Sequence, residues 1–151
     1  MKTNRNVLKA VAAAVLACSA GFASAGTATQ AVNVSATVSG VCKFTTGAAI
    51  SLTFAAIDPS TTGNKTQTAS LPFQCNTGMT TATAAVTTGG TTLTSGANTM
   101  AYALTLGAVP TGAGFAAAAT NIVATGTIAQ TAYQPAAAGT YTDAAVVTLT
   151  F

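Results

Sequence analysis

The sequence predicts an all-β protein built as a sandwich of antiparallel sheets. Three observations carry the prediction. Residues 26–151 contain about eight or nine short runs in which apolar and polar side chains alternate, the period of a half-buried strand. Turn-forming Gly, Asn, Asp and Pro residues separate these runs at intervals of roughly 8–15 residues, as in sandwiches. No stretch after residue 25 carries the apolar periodicity of an amphipathic helix.

The chain opens with Lys2 and Arg5. Together with Lys9 they flank an Ala-rich apolar run through Val7, Leu8, Val11, Val15 and Leu16, and the small residues Ala23-Ser24-Ala25 follow. This is the pattern of a secretory signal peptide over residues 1–25, cleaved between Ala25 and Gly26. The run is interrupted by Lys9 and is shorter than the roughly 20 residues a spanning helix needs.

An N-terminal extension, residues 26–40, comes next. Its stretch Val32-Asn33-Val34-Ser35-Ala36-Thr37-Val38 alternates without a fault, so Val32, Val34, Ala36 and Val38 share one face of a strand. The main domain follows over residues 41–151. Strands are expected at residues 41–44, 50–54, 67–75, 82–88, 91–94, 100–106, 121–125, 128–133 and 141–151. Within them, Pro72 marks a bend or an edge, and Gly126 separates two strands. Residues 107–120, with Pro110, Gly112 and Gly114, read as a loop; Phe115 with the alanines after it has the makings of one helical turn, too short to stand alone in water. In the last strand Ala145, Val147, Leu149 and Phe151 share one face. A sandwich ending on such a strand leaves an open edge that something must pair with.

The whole chain has a net charge of +3, from five cations and two anions. Lys2, Arg5 and Lys9 leave with the signal. Lys43 and Lys65 then balance Asp58 and Asp143, and no footprint for nucleic acid remains. A net charge near zero favours association. Cys42 and Cys75 stay behind, and in an exported protein a disulfide is expected between them. It closes a loop of about 34 residues, worth roughly 3–4 kcal/mol by chain entropy.

No enzyme is expected. The chain has no His, so no Ser-His-Asp or Cys-His arrangement can form. It has no Glu, and Asp58 and Asp143 both lie in turn-like contexts rather than as facing carboxylates. No cluster has metal-ligand spacing, no Gly-rich loop opens a helix, and no cofactor or small-molecule substrate is implied. Tyr102, Tyr133 and Tyr141 are read as core residues.

Several of these features together resemble a known family. They are the export signal, the alternating strand at residues 32–38, Cys42 soon after it, and Phe73-Gln74-Cys75. The ending Ala138-Gly139-Thr140-Tyr141-Thr142-Asp143, with Val147-Thr148-Leu149-Thr150-Phe151, completes the set. They are similar to the spore coat protein U domain, the family of archaic chaperone–usher (Csu-type) pilins. The resemblance covers nearly all of residues 26–151. Its most specific parts are the Gly-x-Tyr-x-Asp turn, the strand to a terminal aromatic, and the two-cysteine framework.

The resemblance implies an incomplete immunoglobulin-like β-sandwich with an N-terminal donor strand. In such pilins a periplasmic chaperone lends a strand to an open groove. At the outer-membrane usher the N-terminal segment of the next subunit replaces it. On this chain Val32, Val34, Ala36 and Val38 become the donor residues. Val147, Leu149 and Phe151 become the edge of the acceptor groove, with the Phe151 carboxylate as chaperone anchor. The expected function is a structural subunit of an extracellular pilus that supports adhesion and biofilm formation. Its expected partners are the chaperone, the usher and other copies of itself or related pilins. The alternative is a secreted spore-coat or matrix protein in which residues 32–38 close their own sandwich. A tip adhesin is disfavoured, because adhesins of this system carry an additional binding domain for which this length leaves no room.

Overall fold

In the computed structural model, residues 26–151 are described, and the expected signal peptide at residues 1–25 lies outside them. Residues 38–151 make one compact unit, and residues 26–37 belong to a separate one. The compact unit holds eight strands: β1 (Cys42–Phe44), β2 (Lys65–Cys75), β3 (Thr83–Thr88), β4 (Thr92–Ser95), β5 (Asn98–Ala101), β6 (Ala103–Leu106), β7 (Thr120–Ile128) and β8 (Val146–Thr150). A single helical turn, α1 (Gln130–Tyr133), follows β7. Every strand pairing is antiparallel. The protein is therefore all-β with antiparallel sheets, as the alternation predicts.

The largest sheet has four strands in the order β1-β2-β7-β6, and β3–β8 and β4–β5 form two-stranded sheets. The β2–β7 ladder runs from Lys65 opposite Ile128 to Phe73 opposite Thr120. Strand periodicity sets its inner face: Ile122, Ala124 and Ile128 are buried, while Asn121 and Val123 are exposed. Phe73 and Ile122 are completely buried, and each contributes about 1.5–3 kcal/mol by leaving water. With Cys42, Cys75 and Ala82 they form one core cluster, against which Ala84 of β3 and Leu149 of β8 pack. A second cluster, Met100, Ile128 and Tyr133, gathers Phe54, Ile57, Leu93 and Tyr102 around it. No polar or charged residue is buried among the described residues.

Cys42 and Cys75 face each other in the β1–β2 register and are joined by a disulfide, their Cα atoms 4.1 Å apart. Pro72 lies inside β2, which is flanked on both sides, yet it breaks no ladder bond with β7. In an antiparallel strand the N–H and C=O of one residue point the same way. The Pro72 carbonyl accepts from the Thr45 N–H at 3.0 Å, just past the end of β1, so the missing donor falls where β1 has stopped.

Four strand expectations need correction. Residues 50–54 form no strand: Leu52 and Phe54 pack inward, but residues 47–57 make no backbone–backbone hydrogen bond among the described residues. Alternation reports which side chains seek the core. It does not supply a neighbouring strand. Residues 100–106 break at Tyr102, so that β5 pairs with β4 and β6 with β7. Residues 121–125 and 128–133 are not two strands. One strand runs through Gly126, and the chain then turns into α1. Gly126 is a close-approach site rather than a break, since a Cβ there would lie 2.9 Å from Leu52 Cδ2 and 3.2 Å from Phe54 Cζ. The last strand is confined to Val146–Thr150, and residues 141–145 lead into it.

The loop expected at residues 107–120 is a loop up to the start of β7, and it is docked; Phe115 and Ala116 make only a turn there, not the expected helical turn. Gly112 donates to the Met79 carbonyl at 2.9 Å and accepts from the Gly78 N–H at 2.8 Å. A side chain at Gly112 would collide with the Asn76 carbonyl.

Candidate functional site

The two core clusters do not close on each other. Members of both line one open groove of about 1350 Å³. Its base comes from Leu71 of β2, Leu104 of β6, and Ala124 and Ile128 of β7. Two runs of chain border it, residues 46–57 and residues 136–147. The first run carries the apolar side chains Ile50, Leu52, Phe54 and Ile57 on a backbone with no backbone partner among the described residues. The second leads into β8, which pairs with β3 along one edge and with no other strand among the described residues.

Hydrogen-bonding capacity is thus left open on both borders of an apolar groove. An unpaired backbone donor or acceptor is expensive to bury unless it finds a partner. A peptide strand is the ligand that answers both needs, with main-chain bonds to the borders and alternate side chains to the base. The volume also exceeds the roughly 300–1,000 Å³ usual for small-molecule pockets.

The expected acceptor residues divide. Val147 and Leu149 are half-buried on the inner side of β8, while Val146, Thr148 and Thr150 face out. Val147 borders the groove, and Leu149 packs on the first core cluster instead. Phe151 lies beyond β8 and is 54% exposed. The expected donor residues carry no strand. Val32, Val34 and Val38 are 80%, 88% and 81% exposed, and Ala36 is exposed as well.

The turn before β8 holds a feature that the reading of Asp143 as a simple turn residue misses. Its carboxylate accepts from the Gly90 N–H at 2.7 Å and the Tyr102 hydroxyl at 2.6 Å through one oxygen. The other oxygen accepts from the Ala144 N–H at 2.8 Å. The Tyr102 and Gly90 bonds are the first causes that hold this carboxyl below its ordinary pKa. Burial first, then the bond to Asp143, pushes the Tyr102 hydroxyl up to about 12. Asp143 therefore ties the Gly89-Gly90 turn, the β5–β6 junction and the approach to β8 together. Gly89 has to be glycine here: its φ is +69°, and a Cβ would fall 2.8 Å from Asp143 Oδ2 and 2.9 Å from the Ala145 Cα. Thr142 adds paired backbone bonds to Thr94, both at 2.9 Å, and the Tyr141 hydroxyl donates to the Ala137 carbonyl. The Gly-x-Tyr-x-Asp segment is visible in sequence, but its partners lie 41–53 residues away, at Gly90, Thr94 and Tyr102.

Asp58 behaves as expected, accepting from the N–H and hydroxyl of Ser60 in its own turn. Tyr133 is a core residue with a polar end: its ring is buried and its hydroxyl reaches the Thr61 and Gly63 carbonyls, both at 2.9 Å. Among the described residues no group of His, Cys, Asp and Glu is placed to hold a metal ion. Comparison with known proteins finds no matching family model, no matching curated protein and no matching solved structure.

Proposed function

We propose that this protein is a structural subunit of an extracellular pilus, assembled by the chaperone–usher route through donor-strand exchange. In this reading residues 41–151 are an incomplete immunoglobulin-like sandwich, and residues 32–38 are the strand that completes a neighbouring copy. One observation carries it. An apolar groove is bordered by the unpaired residues 47–57 and by the approach to a strand, β8, with one unpaired edge. The same chain carries an exposed, alternating Val-rich segment that suits such a groove.

The energetics fit an assembly that needs no nucleotide. Burying three Val and one Ala contributes up to roughly 5–9 kcal/mol from area. Each new ladder hydrogen bond adds on the order of 1 kcal/mol. Before assembly the groove needs cover, which is the task of a periplasmic chaperone. The outer-membrane usher is where the chaperone's strand gives way to that of the next subunit. Export, by this route, ends at the cell surface, where the fibre supports adhesion and biofilm formation.

Deletion of residues 26–39 tests the reading. The shortened chain is expected to bind its chaperone but fail to polymerise, so that electron microscopy of cells making it alone shows no fibres. Continued growth of fibres made from the shortened chain alone would sink the proposal. So would wild-type full-length protein that stays monomeric on prolonged incubation with no chaperone, which is the behaviour of a self-complete coat or matrix protein.

A further inference from the structure

The Asp143 carboxylate lies where the groove border becomes β8. Residues 143–147 all line the groove, and so do Tyr102 and Leu104 on the far side of the β5–β6 break. Residues 144 and 145 have no ladder partner, as β8 begins only at Val146. Between the Thr142–Thr94 backbone pair and the first ladder partner of β8 at Val146, the hold on this stretch is the carboxylate, bonded to Gly90, Tyr102 and Ala144. Tyr102 in turn is held by its N–H to the Thr91 carbonyl, and Leu104 by its N–H to Gly90. The contact joins the border of the groove to its base through one side-chain pair.

Resting on the strand-accepting reading of the groove, we propose that Asp143, through the Tyr102 hydroxyl, is a positioning residue for strand capture. It sets residues 143–147 in the geometry a strand can pair with before the strand arrives. Once a strand is docked, its own ladder bonds hold the border, and the Asp143–Tyr102 contact matters much less. The pair therefore acts on the rate of capture rather than on release. A binding-competent border that is only fractionally populated lowers apparent affinity by that fraction. Losing a hydrogen bond to a charged acceptor shifts such a balance by about tenfold or more.

The test uses residues 26–151 with Val34→Asp and Val38→Asp, which disables the chain's own strand, and a labelled synthetic peptide of residues 26–40 as probe. Asp143→Asn and Tyr102→Phe are each added to this parent, and capture and release are followed by fluorescence anisotropy. The expected result is capture slowed about tenfold or more in both variants, with release unchanged. The double variant is expected to be no slower than Asp143→Asn alone, because Tyr102→Phe then removes only a contact that Asp143→Asn has already weakened. Capture at the parental rate in a folded Tyr102→Phe chain overturns the inference. Slowed capture with equally accelerated release does so too, since that marks a contact made in the bound state. Tyr102→Phe keeps the ring and its packing, so it decides the matter if Asp143→Asn fails to fold. A parent that never captures the peptide refutes the groove reading itself, and the inference falls with it.

Discussion

Substituting Val34 or Val38 by Asp separates a donated strand from one that belongs to its own domain. In the single chain both side chains are already in water, at 88% and 81% exposure. Replacing an exposed side chain away from the core changes stability by about 0.5 kcal/mol or less. The melting temperature of the monomer is then expected to move by no more than about 2–3 °C. Docking is a different matter. Each Val forfeits about 1.5–3 kcal/mol of burial, and a carboxylate entering an apolar groove adds a desolvation penalty of several kcal/mol or stays out. A loss of at least roughly 3 kcal/mol weakens docking more than a hundredfold. Mixing each variant with wild-type subunits and following polymer mass by light scattering reads this directly. Polymers are expected to grow from wild-type chains and to stop where a variant must donate. The reasoning is refuted if the monomer melts far lower, for then the strand lies in its own core. It is refuted equally if the variant donates as well as wild type.

Four further outcomes follow from the geometry. Replacing both Cys42 and Cys75 by Ser removes the β1–β2 cross-link and is expected to lower stability by about 3–4 kcal/mol, measured by urea unfolding. Gly112→Ala drives a Cβ into the Asn76 carbonyl and breaks the docking of residues 107–119. A loss of about 2–4 kcal/mol and rapid proteolysis in that loop are expected. The Tyr102 hydroxyl, held up to about 12 by burial and by Asp143, binds its proton more tightly in the folded chain than in the unfolded one. Its contribution is complete below about pH 10 and is lost as the pH rises toward 12, so alkaline unfolding should flatten in Tyr102→Phe. Asp143, held low by Tyr102 and Gly90, works in the opposite sense. Its contribution is present above its ordinary value of 3.8 and fades as the pH falls below it, a loss that Asp143→Asn should abolish.

Much of the fold is legible in local pattern. The alternation at residues 67–75, 82–88 and 121–125 marks strands that the structure contains, because each has one face to bury and side chains of the right period. The turn at Asp58 and the docked loop after Leu106 carry their own Gly, Pro and Asp signals. The failures share a cause. Residues 50–54 alternate as well as any strand here, yet they lack a partner. Tyr102 ends β5 and Gly126 does not end β7, and in each case a contact distant in sequence decides. Tyr102 answers to Thr91 and Asp143, and Gly126 to Leu52 and Phe54.

What the sequence determines by itself is which side chains leave water. Period-two alternation, turn residues and the missing helical periodicity define an all-β chain, and the two cysteines after residue 25 supply its cross-link. Only the tertiary structure decides which backbones find partners. A strand is made by hydrogen bonds to a neighbour, and neighbours are chosen by packing over long sequence separations. That is why the groove, bordered by residues 46–57 and 136–147, appears in no local pattern. It exists because two alternating segments meet the same core and neither pairs with the other.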